Sequence, residues 1–130
     1  MAAAMAAECA FEQGRFWEMH DLIFKNQREL DDWELVGYAA RIGVDMNTWE
    51  SCYRSNKYAK RIQADQYTAV KLGARGTPAF FINGRFLSGA QPLPAFEFLI
   101  DEELKKAKAS GIPAKDYYRK AVVGKGKESM

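Results

Sequence analysis

Arg75-Gly76-Thr77-Pro78-Ala79-Phe80-Phe81-Ile82-Asn83-Gly84-Arg85-Phe86-Leu87 is the stretch on which the fold turns. Two short apolar runs, 79–82 and 85–87, flank Asn83-Gly84. That dipeptide favours a two-residue hairpin turn, because both residues tolerate the positive φ the turn requires. A β-hairpin is therefore expected here, and it is the strongest local signal in the chain. Ser88 to Pro94 reads as a loop, and Pro94 suits the first turn of a helix running through Ala109. Ile112 to Val123 reads as one or two further helical turns. The basic tail Lys115 to Lys127, with Gly124 and Gly126, reads as a frayed, solvated end.

Upstream of the hairpin the texture is helical. Ala2 to Gln13 is rich in good helix formers and Gly14 follows as a stop. Phe16 to Asn26 carries Phe16, Met19 and Ile23, with Trp17 and Phe24, at amphipathic spacing. Asp31 or Asp32 can cap a third helix through Arg41, with apolar face Leu35, Tyr38, Ala39 and Ile42, ended by Gly43. Asp45 can cap a fourth that holds Trp49, Cys52 and Tyr53. Residues 57–71 make a fifth, with Tyr58, Ile62, Ala69 and Leu72 apolar and Gly73 as its stop. The aromatic set Phe16, Trp17, Phe24, Trp33, Tyr38 and Trp49 is at helical spacing and is most simply core.

Composition narrows the function classes. The 130 residues are 48% hydrophobic and 28% charged, with a net charge of +2. That is one domain's worth of ordinary globular protein, too weakly charged to argue for nucleic acid or an anionic membrane. No apolar run approaches the ~20 residues of a bilayer span. Met1 to Ala7 lacks the basic and apolar regions of a secretory signal. One histidine, His20, and two distant cysteines make a metal site improbable, and no cofactor is expected. His20 and Asp21 are adjacent, and neighbours on a helix diverge, so packing or capping is expected of them rather than an acid–base pair. Cys9 and Cys52 stay open between a structural disulfide, inert buried thiols and a reactive pair. A bridge would close a 43-residue loop, worth up to about 4 kcal/mol on a chain-entropy basis.

Arg75 to Gly84 resembles the cis-proline motif and following hairpin of the thioredoxin fold. Leu87-Ser88-Gly89-Ala90-Gln91-Pro92, then Phe96 and Leu99, resembles the end of the DsbA-like branch. Glu8-Cys9-Ala10 and Gly14-Arg15-Phe16-Trp17-Glu18-Met19-His20-Asp21 resemble that branch's helical insertion. The match runs through roughly residues 5–104. It implies a helix-rich α/β, thioredoxin-like (DsbA-type) fold with a helical insertion over 1–73. The cis-Pro motif, hairpin and final helix occupy 74–110, and a C-terminal extension occupies 111–130, all within one partial domain. The family's first β-α-β unit, whose helix N-terminus bears and activates Cys-x-x-C, has no counterpart in these residues. The resemblance implies thiol-disulfide exchange on unfolded or cysteine-containing polypeptides, outside the cytoplasm, with no catalytic residue in this stretch. Gly76, Thr77 and Pro78 would bind substrate backbone, some of the aromatic set could line an apolar peptide-binding groove, and Arg75 could face substrate or solvent. Some relatives of this kind carry a second cysteine pair, which would suit a Cys9–Cys52 disulfide. Without the family's first strands, Phe80, Phe81 and Ile82 should be partly uncovered, which points to a homodimer. The alternative is a redox-inactive module that binds polypeptide or itself.

Overall fold

The computed structural model describes residues 1–123. Its elements are α1 (Ala2–Phe11), α2 (Phe16–Lys25), α3 (Asp32–Arg41), α4 (Met46–Arg54), α5 (Ala59–Lys71), β1 (Ala79–Ile82), β2 (Arg85–Ser88), α6 (Leu93–Ala109) and α7 (Ala114–Tyr117), followed by a π-helical segment, Tyr118–Val123. Contacts divide the chain into two units, Met1–Gln66 and a second beginning at Tyr67. The division falls inside α5. Among the described residues, no helix is long and apolar enough to cross a membrane.

The first unit holds a continuous apolar core. Met5, Ala6, Cys9 and Ala10 of α1, Met19 of α2, Leu35 and Ala39 of α3, and Trp49 of α4 are fully or almost fully buried. Alanines on α1 leave room for the Trp49 indole, whose Nε1 donates to the Ala6 carbonyl at 3.1 Å. Burying an indole without such a partner would cost free energy, so this bond decides where the ring can sit. Trp49 also stacks on Tyr53, centroids 4.8 Å apart. Tyr53 is held by burial and by a hydrogen bond to Asp32, which together push its phenol up to about 12.

The starts of α3 and α4 follow from nearby polar side chains. Asp31 and Glu34 form a reciprocal capping box at α3. Asp45 accepts from the Thr48 amide at 2.8 Å at α4. Hydrogen bonds from the Thr48 side chain and from its amide, stronger to the ionised carboxylate, draw the Asp45 carboxyl below its usual range. Gln13 then links the end of α1 to this cap, donating to the Asp45 carbonyl at 3.2 Å and accepting from its amide at 2.7 Å. Gly14 turns the chain out of α1 at φ +71°. Cys9 and Cys52 are disulfide-bonded, with Cα atoms 5.8 Å apart, so of the three open readings the bridge is the one realised.

Two expectations fail in this unit. Of the six aromatics expected in the core, only Tyr38 and Trp49 are buried, and Phe16 is half-buried. Trp17, Phe24 and Trp33 are 67%, 61% and 74% exposed. On α2 the stripe Phe16, Met19, Ile23 turns inward, which sends Trp17 and Phe24 to the other side, one position round the helix. The fifth helix starts two residues late, after Asn56 at φ +53°. Only its first turns, Ala59 and Ile62, together with Tyr58 just before it, pack against the core. Ala69 is exposed.

The second unit contains the hairpin. β1 and β2 pair antiparallel from Ala79↔Ser88 to Ile82↔Arg85, so Ser88 extends the strand one residue beyond the expected end. Asn83 and Gly84 take φ of +47° and +84°, as a two-residue hairpin turn demands. On one face Phe80 meets Phe96 of α6 edge-on, centroids 4.9 Å apart. On the other, Phe81 lies 5.2 Å from its cross-strand partner Phe86. Arg85 reaches Glu102 at 2.6 Å and Glu103 at 3.3 Å, and Lys106 meets Glu103 at 2.6 Å. Glu103 is buried, and the hydrogen bond from Lys106, with that from Arg85, holds its carboxyl below the usual range against the opposing effect of burial.

The C-terminal reading also changes. Lys115 to Val123 is helical and Val122 is buried, so this stretch is not a frayed end. Tyr118, Val122 and Val123 join Leu72, Phe81, Asn83 and Gly84 around a cavity of about 310 Å³. Gly124, Gly126 and Lys127 lie outside the described residues.

Candidate functional site

The Arg75–Pro78 segment carries the residues expected to meet a polypeptide. All four are exposed. The Thr77–Pro78 peptide bond is cis. The Gly89 amide donates to the Pro78 carbonyl at 2.9 Å, which ties the loop to the end of β2. Among the described residues, no hydrogen bond involves the backbone of Gly76 or Thr77. The Thr77 amide and carbonyl thus stand in solvent immediately before a strand, where an extended peptide could pair with them. Gln91 closes the loop beyond the hairpin by donating to the Ser88 carbonyl at 2.8 Å.

The second feature lies in the first unit. Trp17, His20 and Phe24 recur at i, i+3 and i+7 on α2 and form an exposed strip. His20 sits 5.1 Å from the Trp17 ring and 4.5 Å from the Phe24 ring. Phe16 and Phe11 extend the strip towards α1, with Phe11 and Phe16 edge-on at 6.3 Å. At that end a mostly apolar hollow of about 360 Å³ opens between Phe11, Gly14, Phe16 and Trp17, with Glu8 and Arg61 at its rim. Those two form an ion pair at 3.3 Å. His20 Nδ1 lies 3.0 Å from Asp21 Oδ1, so the adjacent pair does meet, contrary to the expectation that neighbours on a helix diverge. With Nδ1 protonated, that bond leaves Nε2 as the acceptor.

No cysteine in the chain makes a Cys-x-x-C. Cys9 and Cys52 are bonded to each other, and neither lies at a helix N-terminus, since both belong to the last turns of α1 and α4. Gly76, Thr77 and Pro78 cluster as one exposed loop. For the aromatics of the α2 strip the sequence favours a core role, since aromatics at helical spacing are more often core than surface, with a peptide-binding groove as the second reading.

The description "DSBA-like thioredoxin domain" matches residues 1–101. The chain belongs to this family. It is also 42% identical over 93 residues to the Na(+)/H(+) antiporter NhaA 1 of Salinispora arenicola, a match covering 72% of this chain and 14% of that protein. It is 32% identical over 112 residues to the Na(+)/H(+) antiporter NhaA of Herminiimonas arsenicoxydans, covering 86% and 18%. A match to the NhaA 3 antiporter of Salinispora tropica is 45% identical over 83 residues, covering 64% and 13%. The chain therefore spans less than a fifth of the length of these relatives. No solved structure matches it. Helix-rich architecture with a small antiparallel sheet fits the DSBA-like assignment.

Proposed function

We propose that this chain is the polypeptide-binding scaffold of a thiol-disulfide oxidoreductase acting outside the cytoplasm, with its reactive dithiol supplied from outside these 130 residues. One observation carries the reading. A chain of the DSBA-like family exposes Trp17 and Phe24 on α2, whose other stripe turns inward at Met19, and Phe11 at the end of α1, beside an open hollow. Large exposed aromatics that are not scattered singly mark a surface that binds something. Unfolded polypeptide offers apolar side chains that suit this strip, and, independently, an extended backbone that suits the Gly76–Thr77 segment of the second unit. The Cys9–Cys52 bond supports an oxidising compartment, where such bridges persist.

The test is binding of a fluorescein-labelled, reduced and unfolded polypeptide to the 130-residue chain, followed by anisotropy. We expect saturable binding that weakens about tenfold in the Trp17→Ala/Phe24→Ala variant, the loss of two aromatic anchors. Binding that is absent, or unchanged in the variant, would refute the reading. Insulin reduction with dithiothreitol should be at background for both the chain and its Cys9→Ser/Cys52→Ser variant. Activity that vanishes in the variant would make those cysteines the working pair instead.

A second reading, a redox-inactive module within a larger protein, is favoured by the relatives, since the matching stretch is a small part of proteins named as antiporters. It predicts polypeptide binding or self-association with no disulfide exchange even when the dithiol-bearing segment is supplied. In either reading the exposed apolar surface leads us to expect dimers. Sedimentation of a folded monomer at micromolar concentration would overturn that expectation.

A further inference from the structure

The Cys9–Cys52 bridge is sealed on one side and open on the other. Cys9 is 0% exposed, among Met5, Ala6 and Ala10. Cys52 is 5% exposed and lines a polar cleft of about 450 Å³ with Thr48, Ser51, Ser55 and Lys57. The size is that of small-molecule sites. Thiol–disulfide exchange requires a thiolate to reach a sulfur and expel its partner. Of the two cysteines, Cys52 is the one that lines a cleft, while Cys9 is fully enclosed. We infer that the bridge is a one-sided redox site, opened by a small thiol that enters the cleft and attacks Cys52.

The exchange balances in two steps. The incoming thiolate bonds to Cys52 Sγ as the Cys52–Cys9 bond breaks, and the electron pair leaves with Cys9 as a thiolate, which ends with the proton that the incoming thiol gave up. A second small thiol attacks the mixed disulfide, releases the oxidised small-molecule disulfide and leaves Cys52 as a thiol. Two electrons have passed from two thiols to the bridge. Cys9 is fully enclosed and its Cα lies 5.8 Å from that of Cys52, so it stays beside the mixed disulfide and can reclose the bridge before a second thiol arrives. The bridge thus survives brief exposure to thiols and yields to sustained reducing conditions. Opening would loosen α1, whose long-range polar links also run to the neighbourhood of the cleft. Gln13 holds the α4 cap, and Glu12 accepts from Lys57 and Tyr58.

The experiment treats the oxidised 130-residue chain with glutathione, quenches in acid, alkylates and maps adducts by mass spectrometry. The glutathione adduct is expected on Cys52 in about tenfold excess over Cys9, as accessibility dictates. Two further arms guard against reaction through the unfolded chain. In Cys9→Ser the free Cys52 should react with an aromatic disulfide reagent about tenfold faster than the free Cys9 of Cys52→Ser. Ser51→Phe, which fills the cleft at an exposed position, should slow glutathione adduct formation several-fold without lowering Tm. Adducts shared equally or found on Cys9, or a rate unaffected by Ser51→Phe, would overturn the inference.

Discussion

The two units of this chain are built on opposite economies of burial. Through Gln66, almost every helix contributes a fully buried side chain to one core, and a disulfide joins two of its helices. From Tyr67 on, only Val122 and Glu103 are buried among the described residues, and Leu93, Phe98 and Ile100 of α6 stand half or more exposed. A two-stranded sheet is marginal by itself in water. What steadies this hairpin is an edge-on contact with α6 and a cluster of charges around Arg85. The difference teaches that matching a family across most of a chain does not distribute stability evenly along it. The helical unit has the makings of independent stability, whereas the hairpin unit carries apolar faces suited to further partners.

The strongest way to break that contrast is Trp49→Ala. It removes the largest buried side chain and its bond to Ala6, so a loss of about 3–5 kcal/mol is expected, read as a fall in the midpoint of urea unfolding. Protection of the β1 and β2 amides from exchange should be unchanged. If protection in the hairpin collapses in step, the two units are not energetically distinct. Next in size is Cys9→Ser/Cys52→Ser, expected to cost about 2–4 kcal/mol by releasing the loop constraint on the unfolded chain. Its effect should again be confined to exchange in α1 to α4.

Phe96→Ala probes the other unit. With Phe96 only half-buried, about 1–2 kcal/mol is expected, seen as faster exchange at Phe80 and Leu87 while α1 to α4 are untouched. A smaller and pH-dependent effect comes from Glu103. Its folded-state pKa lies below the ordinary value of 4.5, so the carboxylate stabilises the second unit fully above about pH 4.5. That contribution is lost as the pH falls from there through the folded value. Glu103→Gln should flatten this acid limb in hairpin exchange, and an unaltered limb would show that other groups set it. The least effect is expected for Trp17→Ala, within about 0.5 kcal/mol on stability although it should weaken polypeptide binding. A large thermal destabilisation would mean that the strip is structural.

Much of this could be read in advance where local rules act alone. Asp45 and Asp31 cap helices because a short acceptor before a helical run has amides within reach. Asn83-Gly84 turns a hairpin because few residue pairs accept two successive positive φ values. Gly76, Thr77 and Pro78 could be placed in one loop by adjacency to that hairpin. Family resemblance rested on the order of such local motifs, and it survived. What local rules could not settle was which stripe of α2 faces inward. Both stripes run at the same spacing, and the packing of α2 against α1 and α3 chooses between them. In the same way, spacing left Cys9 and Cys52 undecided, since pairing needs two helices brought within 5.8 Å. Nor could it foresee the Gln13–Asp45 and Arg85–Glu102–Glu103 links or the packing of Val122. Capping and turns are written in neighbouring residues; burial, pairing and exposure depend on residues dozens of positions apart, and so only the folded chain assigns them.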